Sequence, residues 1–347
     1  MGRFATSLGP SMAFAVATSM LGCGARTELG ADDDDQGGGG GSGETSTTSG
    51  NTTTGGDSLC HPGDPAEKLA TGYAWPYGLA LTNDRVFFTD YDSGGALLSV
   101  PKAGGAVTTL AAFDYPDGLA IADGQAFVAV SGESRVVRIA VGGGIPTPLF
   151  ASSGPTDLVV GDAGDLYVAE YLGNAVVRAE QSGGPKTTLA SNEEAPFRIA
   201  LTPTRVVFST LSRMGTVPRQ GGDVTHVDVS ARAFATDGET IYASIDPNPA
   251  IVRIDLDGAV TTLWSLGADS GFIDGIALDG DRLFFTQLTQ NVVSIESIRT
   301  DGTDLRTHVS EPSGPFPSRV VLDDSCLYAT FGGDSVADGF VLRAPKN

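Results

Sequence analysis

Leu166-Tyr167-Val168-Ala169-Glu170 is the stretch on which the fold turns, because the chain repeats its pattern seven times. The other copies are Val86-Phe87-Phe88-Thr89-Asp90, Ala126-Phe127-Val128-Ala129, Val206-Val207-Phe208-Ser209, Ile241-Tyr242-Ala243-Ser244, Leu283-Phe284-Phe285-Thr286-Gln287 and Leu327-Tyr328-Ala329-Thr330. Each joins two or three apolar residues to a small one and, in most copies, then a polar one. Successive copies lie 35 to 44 residues apart. That period suits one four-stranded blade per copy.

Working outward from each copy gives the other strands. A short apolar run precedes it, as in Gly78-Leu79-Ala80-Leu81 or Gly275-Ile276-Ala277-Leu278, and reads as the innermost strand. The central column of these runs is small throughout: Ala80, Ala120, Val159, Ala200, Ala235, Ala277 and Val321. Small side chains belong where blades crowd towards a common axis. A third strand follows each copy, such as Ala175-Val176-Val177-Arg178. A glycine turn (Gly104-Gly105, Gly143-Gly144, Gly183-Gly184, Gly221-Gly222) then leads to an outer strand such as Lys186-Thr187-Thr188-Leu189. Turn glycines between β-rich runs are a hairpin signal.

The seventh repeat ends after its third strand, Phe340-Val341-Leu342-Arg343, without an outer one. Glu67-Lys68-Leu69-Ala70 resembles the outer strands and leads into the first inner strand as they lead into theirs. The expected fold is therefore all-β: a seven-bladed β-propeller of four-stranded antiparallel blades, with the last blade completed by the N-terminal strand. Cys60 precedes the borrowed strand and Cys326 begins the second strand of the blade that receives it. In an oxidising compartment the two are placed to form a disulfide, two free thiols being the alternative.

Ahead of the repeats stand two segments of different character. Arg3 and the apolar run Met12 to Leu21 have the form of a secretory signal, and the run is too short to span a bilayer as a mature helix. Gly24 to about Ser58 is almost entirely Gly, Ser, Thr and Asp, including Asp32 to Asp35 and Gly37 to Gly41. Such a stretch builds no core and reads as a flexible spacer of ~30 Å r.m.s. reach. The aspartate run could be a cation site, but like charges on a flexible coil spread apart. The expected organisation is a signal peptide over 1–22, a tether over 23–59 and the propeller domain over 60–347.

Aspartate and glutamate number 42 against 21 lysines and arginines, a formal net charge of −21. A field of that sign, with no basic patch, argues against nucleic-acid binding and suits solubility outside the cell.

Met20-Leu21-Gly22-Cys23 resembles the lipobox of bacterial lipoproteins. The resemblance implies that Cys23 carries the lipid and begins the mature chain; an ordinary signal peptide with an incidental cysteine is the alternative. Gly24 after it, in place of the aspartate that retains such proteins in the inner membrane, implies the outer membrane. The expected location is the bacterial cell envelope, lipid-anchored, facing either the periplasm or the surface. Pro155, Tyr167, Glu170, Asn174 and Arg178, in that order, resemble the NHL repeat; Phe87-Phe88-Thr89-Asp90 and Phe284-Phe285-Thr286-Gln287 are similar to YWTD blades. The cadence is also similar to virginiamycin B lyase and to gluconolactonase-like propellers. These likenesses run over nearly all of residues 64 to 345 and imply architecture far more than activity.

The loops entering the inner strands and leaving the second strands share one face of the disc. They place Tyr77, Asp90, Asp117, Asp157, Glu170, Tyr171, Arg198, Asp274 and Arg319 at a candidate ligand face. Asp157 and Glu170 are alternative Ca2+ ligands, which the gluconolactonase resemblance would tie to lactone hydrolysis. Against this, the YWTD and NHL resemblance implies structural hydrogen bonds for Asp90 and Glu170, and Asp157 beside Arg198 reads equally as an ion pair between adjacent blades. The lyase resemblance implies a histidine near the channel. His61 lies in the N-terminal approach, while His226 and His308 lie in expected outer strands. No nucleophile elbow, Walker loop or clustered Cys/His motif is present. The sequence thus points to a monomeric, non-enzymatic binding or scaffold module for a protein or glycan, with a Ca2+-dependent lactonase or lyase as the rival.

Overall fold

The computed structural model describes residues 59–347 apart from 256, 268–270, 290, 291, 313 and 334–337. The signal peptide, Cys23 and nearly all of the tether lie outside the described residues. Among the described residues there are 28 strands and no helix. The strands form seven four-stranded antiparallel sheets, six of them running from the axis to the rim in chain order. Blades 1 to 6 span residues 76–112, 116–151, 155–191, 198–227, 231–265 and 271–312. Blade 7 joins residues 316–345 to the strand Glu67–Tyr73.

Blade 3 shows why these sequences form these strands. Every residue of its second strand, Asp165–Glu170, is buried, whereas its outer strand, Thr187–Ser191, is mostly exposed. A strand covered on both faces needs a continuous apolar run, because neighbouring blades pack on either side. The core is accordingly divided among blade interfaces. Val159, Tyr167 and Val176 of blade 3, for example, pack against Ile199, Val206 and Phe208 of blade 4. Several of the small central residues, such as Ala80, Ala200 and Ala277, are buried where the inner strands converge.

The ring closes as the repeats require. Glu67–Tyr73 pairs antiparallel with Gly339–Pro345, Glu67 opposite Arg343 and Lys68 opposite Leu342. The Lys68 ammonium lies 4.0 Å from the centre of the Phe340 ring, and Arg343 donates to the Glu67 carboxylate. Cys60 and Cys326 form a disulfide with their Cα atoms 5.5 Å apart, within the ordinary span of such a bond. Lys102 of blade 1 pairs with Asp323 of blade 7 at 2.9 Å.

At the axis, six of the seven inner strands carry a register shift near their start; blade 4 pairs regularly from Arg198. Bulges of this kind re-aim side chains. Glycine is required where the next blade comes close: a Cβ on Gly118 would lie 2.7 Å from the Asp157 Cα, and one on Gly275 would lie 2.8 Å from the Val320 nitrogen. Hydroxyls bolt adjacent blades together. Thr89 Oγ1 accepts from the Gly78 N–H and donates to the Asp117 carbonyl, and Thr330 links the Arg319 N–H to the Tyr77 carbonyl in the same way.

Towards the rim, one guanidinium recurs in every blade by two routes. In blades 2, 3, 5 and 7 it comes from the third strand: Arg138, Arg178, Arg253 and Arg343, opposite Phe127, Tyr167, Tyr242 and Tyr328. In blades 1, 4 and 6 that position holds Ser99, Thr216 or Ser297, opposite Phe87, Val207 and Phe284. There the guanidinium comes from the start of the second strand instead, Arg85, Arg205 or Arg282, each donating to that hydroxyl at 2.8–3.1 Å.

Candidate functional site at the propeller axis

The starts of the inner strands, bulged in all of these blades but blade 4, bring six of the sequence-selected residues together on the axis. They are Tyr77 of blade 1, Asp117 of blade 2, Asp157 of blade 3, Arg198 of blade 4, Asp274 of blade 6 and Arg319 of blade 7. All are buried, from 0% exposure for Arg198 to 5% for Arg319. Arg319 Nη2 donates to Asp157 Oδ1 at 2.9 Å. Blades 3 and 7 are not neighbours, so this pair spans the channel. Asp157 is further held by the N–H groups of Leu158 and Ile199, at 3.1 and 3.3 Å. The adjacent-blade pair anticipated from sequence is the looser contact: Arg198 Nη1 stands 3.9 Å from Asp157 Oδ2. Both guanidinium carbons lie 5.4 Å from the centre of the Tyr77 ring, within cation–π range.

This is a desolvated charge cluster, and its titration follows from that. Burial pushes the Asp117 carboxyl well above the usual carboxylate range, Arg198 and Arg319 pull it back, and Asp157 opposes them. Burial likewise raises the Tyr77 phenol. No hydrogen-bond partner reaches Asp117 Oδ1, the Tyr77 hydroxyl or any of the three side-chain nitrogens of Arg198.

Glu170 and Tyr171 stand apart from this group. The Glu170 carboxylate accepts from the Ser152 hydroxyl at 2.7 Å, from the Ser153 N–H at 3.2 Å and from Lys186. It braces the loop that enters blade 3, as Asp90 braces the loop entering blade 1 by accepting from the Trp75 N–H at 2.7 Å. Tyr171 is half-buried, its backbone N–H bonded to the Gly154 carbonyl. The carboxylates of Asp157 and Glu170 are thus held by separate partners. Among the described residues no group of three or more His, Cys, Asp or Glu side chains could hold a metal ion.

Two tyrosines escaped the sequence reading. Tyr77, Tyr91 and Tyr115 form a file with ring centres 6.0 and 5.3 Å apart, running from the buried axis to Tyr115, which is 37% exposed. Burial, aided by the Asp117 charge, pushes the Tyr91 phenol up to about 12. Tyr91 was detectable: it follows Asp90 in blade 1 as Tyr171 follows Glu170 in blade 3. On the same face Trp75, Phe316 and Phe272 stack in sequence, with Arg232 at 4.8 Å over Phe272. The histidines lie elsewhere. His61 is exposed beside Asp64, His226 pairs with buried Glu193 at 3.0 Å in the outer strand Thr225–Val227, and His308 bonds Ser297 at 2.7 Å in Arg306–Pro312.

Fold and axial geometry define a seven-bladed β-propeller with a charged axial plug. No protein-family model matches the chain, and no curated protein matches it. Among solved structures it is similar to virginiamycin B lyase from Staphylococcus aureus, at 16% identity and TM-score 0.67, covering 82% of this chain and 99% of that one. It is similar to hydrazine synthase of Kuenenia stuttgartiensis, at 16% identity and TM-score 0.62, covering 78% and 96%. It is also similar to YCF48 from Cyanidioschyzon merolae, at 12% identity and TM-score 0.62, covering 81% and 98%. Likenesses at these identities establish the architecture, which different activities share.

Proposed function

We propose that the protein is a cell-envelope lipoprotein, anchored through Cys23, whose propeller is a non-enzymatic binding or scaffold module for a protein or glycan. The observation that carries this reading is that the two carboxylates nominated for a Ca2+ site are already engaged, each with its own partners: Asp157 with Arg319 and two backbone N–H groups, Glu170 with Ser152, Ser153 and Lys186. What the same face offers outward is apolar and aromatic: Leu172 at 69% exposure, Tyr115 at 37%, and the half-buried Tyr171, Trp75, Phe316 and Phe272. Surfaces of that composition anchor partners.

The full chain carrying a C-terminal tag, crosslinked in cells of its host, tests the reading. It should enrich one envelope protein or glycan, and the combined Leu172→Glu, Tyr115→Ser variant should lose at least tenfold of that enrichment. Equal recovery by the variant, or no enrichment over an unrelated propeller, contradicts it. Palmitate labelling that vanishes in Cys23→Ala checks the anchor.

The likeness to virginiamycin B lyase favours a second reading, a Ca2+-dependent lactonase or lyase acting at the channel mouth. Another structure of that lyase is of a catalytically inactive His→Ala variant with quinupristin. The described histidines of this chain lie on the rim or the N-terminal approach, which weighs against carrying that chemistry over. Turnover of lactones by the purified chain in Ca2+, lost in Glu170→Ala, would establish the second reading in place of the first.

A further inference from the structure

Blades 2 and 3 each turn one apolar side chain outward at the loop face, and they do so by exchanging roles. The residue before the proline that opens the inner strand lies in the left-handed region in blades 2, 3 and 4: Tyr115 at φ 49°, Gly154 at φ 57° and Ala195 at φ 49°. Glycine suits this corner, because a side chain in that region, ahead of a proline, is doubly disfavoured. Blade 3 has the glycine, and Leu172 lies across it: a Cβ on Gly154 would come within 2.6 Å of the Leu172 side chain. Blade 2 has the reverse. Its corner carries Tyr115, and the position matching Leu172, two residues beyond the second strand, is Gly132. The Tyr115 corner is pinned on both sides. Its N–H donates to the Asp92 carbonyl at 2.9 Å, and its carbonyl accepts from the Ser131 N–H at 3.1 Å and the Ser131 hydroxyl at 2.9 Å. Strain held in this way collects where a side chain is aimed at a ligand.

We propose that Tyr115 and Leu172 are the contact point for a basic protein segment, with the Tyr115 ring held out for it on a strained corner. The inference rests on the binding-module reading and chooses protein over glycan. Leu172, at 69% exposure, gives a partner's apolar side chain a surface to cover but gives a sugar hydroxyl neither donor nor acceptor. The charge around the two side chains has one sign. Asp92, Asp114 and Glu194 make no ion pair among the described residues, whereas the cations of the same loops, Arg135 and Arg213, are paired with Glu133 and Glu193. An arriving guanidinium or ammonium therefore meets unpaired carboxylates beside a tyrosine face, and both attract it. The formal net charge of −21 steers a basic partner in and an acidic one away.

The test titrates two fluorescently labelled, blocked pentapeptides with the purified full chain and follows their anisotropy. One peptide alternates leucine with arginine, the other leucine with glutamate. The arginine peptide should bind saturably, at least tenfold more tightly than its counterpart, and more weakly as salt rises. Tyr115→Phe should keep that affinity, while Tyr115→Gly, Tyr115→Ala and Leu172→Ser should each lose at least fivefold. Urea midpoints separate the strain from the contact: Tyr115→Gly should unfold at a higher midpoint than Tyr115→Ala yet bind no better. Equal binding of the two peptides, unchanged affinity in Tyr115→Gly and Leu172→Ser, or equal midpoints for the two Tyr115 variants overturns the proposal. If the crosslinked full chain then still enriches an envelope glycan, the binding-module reading survives without it; if it enriches nothing, both fall.

Discussion

The rim and the axis of this propeller solve the same problem in opposite ways. At the rim, seven blades keep one guanidinium in one place although the arginine comes from the third strand in four blades and from the second in three. Three of the third-strand arginines reach the following blade: Arg138 the carbonyl of Gln181, Arg178 the side chain of Gln220, and Arg343 the carbonyl of Lys102. At the axis no such repetition holds. Tyr77, Asp117 and Asp274 stand three residues before the small central residue of their strand, Asp157, Arg198 and Arg319 two before it, and their contacts span the ring as well as following it. Repetition preserves what the fold needs, and its breakdown marks where an individual chemistry has been built.

The largest expected effect tests the axial side of this contrast. Asp157→Ala removes from the desolvated cluster the carboxylate that Arg319 and two backbone N–H groups hold, and should lose about 3–5 kcal/mol in equilibrium denaturation. Loss under 1 kcal/mol would mean that the cluster is well solvated after all. Gly118→Ala should lose about 1–3 kcal/mol, because its Cβ would press on the backbone of Asp157 and Thr156 in blade 3. Gly124→Ala, where a Cβ meets nothing, is the control: any loss there comes from its positive φ and not from packing between blades.

A smaller effect concerns pH. The folded Asp117 carboxyl titrates above its unfolded value, so the folded state holds that proton more tightly. Its contribution is fully present below the unfolded value of about 4 and is lost as pH rises towards the folded one. Asp117→Asn should therefore gain stability relative to the parent between pH 4 and neutrality, as measured by urea midpoints across that range. A constant difference contradicts the assignment. The smallest effect belongs to the rim. Moving the blade 4 guanidinium from one route to the other, Arg205→Gln with Thr216→Arg, should change stability by no more than about 1 kcal/mol. A much larger loss would show that the two routes are not equivalent.

How much of this was legible in the sequence follows the same division. The strand repeats, the small axial column, the closing strand at Glu67 and the Cys60–Cys326 bond could all be read, because each recurs with the blade period or has an evident place within it. The axial residues could be nominated as a face but not arranged. Whether Asp157 turns to Arg198 or to Arg319 depends on how bulges rotate the strand starts, and a register shift leaves no local mark in the residues. Of the rim arginines only Arg178 was marked, through the NHL resemblance; the shared place escaped because it is spread over two strands, so no single column of the repeat shows it in all seven blades.

Axis and rim both presuppose a ring sealed by Glu67–Tyr73. Hydrogen exchange along Gly339–Pro345, with the disulfide intact, tests this most directly. The account predicts that the amides facing Glu67–Tyr73, which are ladder-bonded there, are protected as strongly as those of the other third strands, such as Ala175–Glu180. Exchange at the rate of an unpaired sheet edge would contradict it.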